Sequence, residues 1–149
     1  MRPRLLLHMC CAPCGLYVYE RLRENHDVTG FFYNPNIHPE AEYRLRKEEL
    51  ERIAKIMDWR VIFDAYDPDA WLEQTAGLEA EPEKGRRCSF CFRMRLDRTF
   101  QYARDNGFDA VASTLSISPH KRTEQINAEG LKLSDHYGID FHDENFKKR

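Results

Sequence analysis

The sequence predicts a single α/β domain built on a five-stranded, mainly parallel sheet with helices on both faces, the doubly wound arrangement. Three observations lead to this prediction. The chain has 149 residues, near the commonest domain size, so one core can bury most of its apolar side chains. Its 42% hydrophobic and 32% charged residues are typical of a globular protein. Short apolar runs alternate with segments of helical periodicity, which is the pattern of repeated β-α units.

Each predicted strand is a short apolar run bounded by turn residues. The first run is followed directly by cysteines, and the second ends at NPNIHP, where two prolines exclude regular structure. In chain order the five predicted strands are RLLLHM, DVTGFFYN, WRVIFDA, DAVAST and IDFH.

Four helices are predicted from apolar residues at helical spacing, and a shorter one is expected at DAWLEQTAG. The four cover GLYVYERLREN, residues 41–57, Cys88 to about Asn106, and residues 120–137. Gly107 and Gly138 are placed to end the last two. The residues predicted to face the core are Leu16, Tyr19 and Leu22 in the first helix, Tyr43, Leu45, Leu50, Ile53, Ala54 and Met57 in the second, and Phe92, Leu96, Thr99, Phe100 and Ala103 in the third.

Composition limits where the protein acts. The net charge of −2 says little about partners, because a nearly neutral protein can still present a basic face to nucleic acid. No apolar run approaches the roughly 20 residues that cross a bilayer, and the N-terminus does not resemble a signal peptide. We therefore expect a cytoplasmic protein with no membrane partner, whose thiols are kept reduced.

The five cysteines fall in two short segments. Cys10, Cys11 and Cys14 follow the first strand directly, and Cys88 and Cys91 lie at the start of a helix that leads into the fourth strand. A helix that feeds a parallel strand begins at the carboxyl edge of the sheet, which is also where ligands bind in doubly wound folds. We therefore expect both groups of cysteines to converge on one site.

The cysteine pattern favours a metal centre. Cys10, Cys11, Cys88 and Cys91 offer four thiolates, which suit a [4Fe–4S] cluster or a structural zinc ion, and leave Cys14 over. Two adjacent cysteines are awkward ligands for one tetrahedral ion, which favours iron. Two other interpretations stay open: a thioredoxin-like dithiol at CAPC, and buried thiols without a role.

Four motifs in order carry a resemblance to a known family. They are LLLHMCCAPCG, GFFYNPNIHPEAEYRLR, RRCSFCFRMRL and VASTLSISPHK, and together they resemble the QueH-type epoxyqueuosine reductases, from about Leu5 to the C-terminus. The resemblance implies a two-electron deoxygenation of epoxyqueuosine in tRNA, giving queuosine and water. It also implies a doubly wound sheet of the nucleotide-hydrolase-like (HUP-like) type. Family members commonly continue beyond the segment matching DENFKKR with further cysteine and aromatic residues, so that stretch of the family pattern is expected to be absent from this sequence.

The resemblance also implies the cofactors. Family members resemble enzymes with a [4Fe–4S] cluster beside a separately coordinated, mononuclear iron, so Cys10, Cys11, Cys88 and Cys91 are expected to be metal ligands. Cys14 occupies a position that would serve the additional iron, where it is expected to act in catalysis. An external electron donor is needed, because nothing in the chain resembles a flavin or nicotinamide site. The rival hypotheses are a zinc-stabilised RNA-binding module without catalysis and a dithiol oxidoreductase.

Polar residues at the same predicted edge are candidates for binding tRNA. Residues 84 to 98 hold six lysines and arginines against one aspartate, an excess that suits a phosphate backbone. A solvated helix face explains Arg95 or Arg98 equally well, whereas a buried, hydrogen-bonded side chain is expected for His8. The candidates for substrate or tRNA contact are Asn34, Asn36, Arg86, Arg87, Ser116, Ser118 and His120, with His38 as a candidate catalytic residue.

Overall fold

A computed structural model of the chain describes five strands and four helices within residues 2–10, 12–35, 37, 39–64, 69, 86–114 and 123–142. For residues 14, 86–92 and 123–126 it describes the backbone only. The strands are β1 (Arg4–His8), β2 (Asp27–Phe32), β3 (Val61–Phe63), β4 (Ala110–Ser113) and β5 (Asp140–Phe141). The helices are α1 (Ala12–Leu22), α2 (Glu40–Met57), α3 (Arg86–Asp105) and α4 (Thr123–Tyr137).

The five strands form one parallel sheet in the order β3-β2-β1-β4-β5. From the central strand β1 the chain winds outward through β2 to β3, then crosses back to β4 and continues to β5. The direction of winding therefore switches between β1 and β4, and such a switch opens a crevice at the carboxyl ends of those two strands. The predicted five-stranded, doubly wound architecture is confirmed.

The central strand is buried on both faces, which explains its unbroken run of leucines. Leu5 and Leu7 face the side of the sheet covered by α1 and α2, whereas Leu6 faces the side covered by α3 and α4. Each face carries its own apolar cluster. The helix residues buried in the first cluster include Val18, Tyr19, Leu22, Tyr43, Leu50 and Ala54, and those in the second include Leu96, Phe100, Ala103 and Leu133.

Among the side chains that the structure describes, two that were predicted to face the core do not; the side chain of Phe92, also predicted to face it, lies outside this set. Leu16 is 43% exposed and Leu45 is 65% exposed. Each lies two positions from a buried residue, Val18 or Tyr43, and two positions turn a helix by about 200°. Both predictions were wrong because helical spacing alone does not show which side of a helix the sheet covers.

Two helices end where the sequence predicts, whereas the strands are shorter than predicted. Gly107 and Gly138 take positive φ values of 74° and 69° directly beyond α3 and α4, as predicted. All five strands are shorter than the runs that predicted them, by one or two residues except for the edge strand β3, which is shorter by four. The short helix predicted at DAWLEQTAG lies outside the described residues, apart from Asp69.

Candidate active site at the carboxyl edge of the sheet

Hydrogen bonds to β2 and to the residues just beyond it fix the backbone where the chain leaves the carboxyl end of β1. Met9 is fully buried and its amide donates to the carbonyl of Phe31 at 3.0 Å, which continues the parallel pairing one residue past the strand. The Nδ2 of Asn34, whose side chain is 1% exposed, donates to the carbonyl of Met9 at 3.0 Å. The turn that carries the first cysteines therefore begins from a fixed backbone position.

Cys10 lies in the crevice between β1 and β4. Its thiol is partly buried and forms no disulfide within the described residues. Its amide donates to the hydroxyl oxygen of Thr114 at 3.3 Å, and the same hydroxyl donates to the Cys10 sulfur, with an oxygen-to-sulfur distance of 3.6 Å. A single buried side chain beyond β4 thus contacts both the backbone and the sulfur of Cys10.

His8 ties three strands together just beneath this turn. Its Nε2 lies 3.0 Å from the carbonyl of Tyr33 and its Nδ1 lies 3.3 Å from the hydroxyl of Ser113. A carbonyl only accepts, so Nε2 carries the proton and Nδ1 accepts from the serine. Complete burial, reinforced by the positive charge of Arg95, lowers the pKa of His8 to about 4, so the ring is neutral near pH 7. The expected buried, hydrogen-bonded histidine is confirmed.

The second cysteine pair belongs to the first two turns of α3. Helix α3 packs against β1 and β4 and runs towards the amino edge of the sheet. Positions 88, 91 and 95 follow one side of its backbone, and the rise per residue places Cys91 and Cys88 about 6 Å and 10 Å before Arg95 along the axis. Because α3 ends beside the amino end of β1, where Arg4 donates to the carbonyl of Asn106, the backbones of Cys88 and Cys91 at its start lie towards the carboxyl edge.

Two arginines of α3 have roles that differ from those considered in the sequence. Arg95 is 3% exposed, so it belongs neither to a solvated helix face nor to a surface open to RNA. Arg98 binds Asp64 through two nitrogens at 2.7 Å and 3.2 Å, which joins α3 to the chain just beyond β3. For Arg95 the solvated helix face was wrong, because helical spacing alone does not show which charges the sheet covers.

The predicted site residues divide into three groups. Cys10 and Asn34 are fully described at the carboxyl edge, and the Oδ1 of Asn34 makes no hydrogen bond within the described residues. The backbones of Cys14, Cys88, Cys91, Arg86 and Arg87 lie in the first turns of α1 and α3. Outside the described residues lie Cys11, Asn36, His38, Ser116, Ser118 and His120.

The roles given to these residues as ligands, catalysts or substrate contacts therefore stay predictions. Among the side chains that the structure describes, no group of three or more histidine, cysteine, aspartate or glutamate residues is arranged to hold a metal ion. The described part of the site is its framework: one cysteine, its threonine partner, and the strands and helix that carry the remaining cysteines.

Sequence reasoning missed Thr114 and Arg95 as parts of this site. Thr114 is the last residue of DAVAST, so its place beyond β4 and beside the first cysteine group was available from the predicted topology. Arg95 follows Cys88 by seven residues and Cys91 by four, a spacing that puts all three along one side of a helix. Thr114 could have been found from its position at the end of a strand next to the cysteine-bearing one, and Arg95 from its helical spacing to two cysteines.

The framework suits a thiolate-bound metal centre. Thiolates are soft ligands that prefer iron–sulfur clusters, zinc and copper(I). The negative charge of such a centre is favoured by the amino end of α3, by the hydroxyl donated from Thr114 and by the buried Arg95 cation. The described surroundings of Cys10 therefore fit the predicted donor set.

Fold and site together define a class of protein: a doubly wound α/β domain that carries a cysteine site at its topological switch point. A family model described as epoxyqueuosine reductase QueH matches residues 5–149. The chain belongs to the QueH family, as the four motifs predicted.

Individual relatives agree with the family match. The chain is 48% identical over 147 residues to the epoxyqueuosine reductase QueH of Acinetobacter baylyi, covering 97% of this chain and 67% of that protein. It is 45% identical over 149 residues to the protein of the same name from Histophilus somni, covering 97% of this chain and 60% of the relative. For the relative from Streptococcus pyogenes the identity is 42% over 154 residues, with coverage of 99% and 60%. The chain thus spans between 60% and 67% of the length of these relatives.

The helices of the described residues include none that combines the length and the apolar composition needed to cross a bilayer.

Proposed function

We propose that this protein is an epoxyqueuosine reductase that removes the epoxide oxygen of epoxyqueuosine in tRNA. The observation that carries the proposal is that Cys10 packs against the apolar cluster beneath α3, the helix whose first turns carry Cys88 and Cys91. Proteins with this name are similar to the chain over nearly all of its length. A tRNA substrate favours a reaction in the cytoplasm, where thiols are kept reduced, and this location is part of the proposal.

The reaction consumes two electrons and two protons. Both carbon–oxygen bonds of the epoxide break, the oxygen leaves as water, and the two ring carbons are joined by a double bond. The chain offers no flavin or nicotinamide site that we recognise, so an external electron donor is part of the proposal. The protons come from groups at the carboxyl edge, for which His38 is the candidate side chain, because histidine exchanges protons near neutral pH.

The proposed ligands of a [4Fe–4S] cluster are Cys10, Cys11, Cys88 and Cys91, and Cys14 is the proposed ligand of a neighbouring mononuclear iron. When bound, these groups would supply single electrons and a Lewis acid for the epoxide oxygen.

The described residues fix the position of Cys10 and set the charge of its surroundings. Thr114 orients the Cys10 sulfur, and Met9 and Asn34 fix the backbone from which the cysteine turn departs. His8 stays neutral, so it adds no charge beneath the site, whereas Arg95 adds a buried positive charge. Together they hold one thiolate in place and favour negative charge around it.

The proposed tRNA contacts come from loops and helix starts at the same edge. Arg86 and Arg87 begin α3 and are proposed to bind phosphates, since cationic side chains supply most of the affinity for a nucleic-acid backbone. The remaining proposed contacts, Asn34, Asn36, Ser116, Ser118 and His120, follow strands β2 and β4 in the sequence.

Anaerobic reconstitution tests the proposal. Purified protein is supplied with iron and sulfide, its iron and zinc contents are measured, and it is then given a chemical reductant and tRNA that contains epoxyqueuosine. Mass spectrometry of the digested nucleosides is expected to show loss of one oxygen atom. The Cys10→Ala and Cys88→Ala variants are expected to lose iron and activity while keeping the circular dichroism of the wild type.

Matched arginine variants test the tRNA contacts. Arg86→Ala together with Arg87→Ala is expected to weaken tRNA binding and to flatten its salt dependence. Arg44→Ala removes an exposed cation that pairs with Glu40 on α2 and is expected to leave tRNA binding unchanged. A colourless protein with one zinc ion and no reductase activity would instead favour an RNA-binding module. Cysteine variants that retain both iron and activity would contradict the ligand assignment.

A further inference from the structure

Thr114 is a buried residue directly beyond β4 whose side chain reaches the first cysteine of the site. It follows β4 directly, its side chain is 1% exposed, and β4 pairs with β1 up to His8 opposite Ser113. The strand register therefore carries Thr114 to the point where the chain leaves β1 and reaches Cys10. Thr114 and Cys10 are 104 positions apart in the sequence, and the Thr114 side chain extends the contact between β1 and β4 beyond their last paired residues.

The two contacts of the Thr114 hydroxyl use different parts of the group. The hydroxyl oxygen accepts from the Cys10 amide at 3.3 Å, and its single hydrogen is directed to the Cys10 sulfur at an oxygen-to-sulfur distance of 3.6 Å. Accepting the amide bond is sufficient to close the strand pair. The bond to sulfur is additional, and it acts on the atom that would bind metal.

We propose that Thr114 is a positioning residue of the redox site, which orients the Cys10 sulfur and raises the reduction potential of the metal centre that this sulfur binds. The inference rests on the proposed function, because it needs a cluster at Cys10. Adding an electron to an iron–sulfur cluster places more negative charge on its sulfur atoms. A hydrogen bond donated to one of them therefore stabilises the reduced state more than the oxidised state.

The test compares variants that separate the hydroxyl from the shape of the side chain. Thr114→Val keeps the volume and removes the hydroxyl, whereas Thr114→Ser keeps the hydroxyl and removes a methyl group. Thr99→Val is the matched control, because Thr99 is equally buried and its hydroxyl bonds to the backbone carbonyl of Arg95. It removes a hydroxyl from the core without touching Cys10.

The readouts are iron per chain after anaerobic reconstitution and the midpoint potential of the cluster in an optical redox titration. We expect Thr114→Val to bind iron and to lower the equilibrium constant for one-electron reduction about tenfold, a shift of about 59 mV to more negative potential. Thr114→Ser and Thr99→Val are expected to stay close to the wild type. A purely structural role would change the melting temperature of Thr114→Val without moving its potential.

Each outcome decides the inference. A wild-type potential in iron-loaded Thr114→Val overturns it, and so does a Thr114→Ser variant that shifts as far as Thr114→Val. Loss of iron from Thr114→Val alone, with the serine variant loaded, supports the positioning role. If Thr114→Val does not fold, Thr114→Ala also lacks the hydroxyl and supplies the same comparison. A folded wild type that takes up no cluster would refute the proposed function itself, and this inference with it.

Discussion

Acidification is expected to destabilise the fold through His8. The ring is completely buried and its pKa is about 4 in the folded chain, against 6.5 for an ordinary histidine, chiefly because burial disfavours the charged form. Between these two pH values the histidine is protonated in the unfolded chain and neutral in the folded chain, so acid favours unfolding. The contribution of the neutral ring to the free energy of unfolding is complete above pH 6.5 and is lost as the pH falls towards 4.

The size of the effect follows from the two pKa values. They differ by about 2.5, and each whole step is about 1.4 kcal/mol, so the full loss is about 3 kcal/mol. Between about pH 7 and pH 5 the loss is about 2 kcal/mol, since the folded ring is still neutral there. A domain stabilised by about 5 to 15 kcal/mol in total would register this loss clearly.

Urea unfolding of the reduced, metal-free protein at a series of pH values measures the effect. His8→Gln removes the titrating ring, so the wild type is expected to lose about 2 kcal/mol more than this variant between about pH 7 and pH 5. The control is His136→Gln on the exposed side of α4, which is expected to follow the wild type. Equal losses in the wild type and His8→Gln would refute the reasoning, because His8 would then titrate alike in the folded and unfolded chains.

Three further predictions concern α3 and α4. The partly buried pair of Arg98 and Asp64 is expected to give a coupling free energy of about 1 kcal/mol in a double-mutant cycle measured by urea unfolding, and additive single variants would contradict it. Gly130→Ala is expected to lower the free energy of unfolding by about 1 to 3 kcal/mol, because the new Cβ would lie 2.5 Å from the Phe141 ring. This steric cost outweighs the gain of about 1 kcal/mol in helix propensity. A higher melting temperature would contradict the prediction. Arg95→Met is expected to bind less iron than Arg95→Lys after reconstitution, since only lysine keeps a positive charge at this buried position of α3. Equal iron contents would show that this charge is not needed.

The sequence was sufficient for the architecture because the pattern of elements is set by local composition. The run RLLLH is apolar without alternation, which indicates a strand buried on both faces, and it is the central strand. Alternation of strands and helices was sufficient to predict the parallel sheet. The exposed positions Leu16 and Leu45 could not be assigned in this way, since the orientation of a helix about its axis depends on the sheet beneath it.

The location of the candidate site could also be predicted, but its inner details could not. Topology alone places the residues after β1 and those at the start of α3 at one edge. The burial of Arg95 was not predictable from its own segment, where five other cations are present between residues 84 and 98. Whether a cation lies in water or beneath a sheet is decided by neighbours that are distant in sequence.

The distribution of buried polar groups gives an independent argument that the carboxyl edge is the functional one. Burying a polar side chain costs about 1 to 3 kcal/mol unless its hydrogen bonds are replaced, and a well-packed apolar group is often at least as stable in its place. Of the seven buried polar or charged residues described, five lie where β1, β2 and β4 end and α3 passes over them, namely His8, Asn34, Arg95, Ser113 and Thr114. Stability alone does not account for concentrating these groups at one place. The thiolate site that we propose at the topological switch point would account for it, because such a site requires a fixed backbone, a directed hydroxyl and a compensating charge.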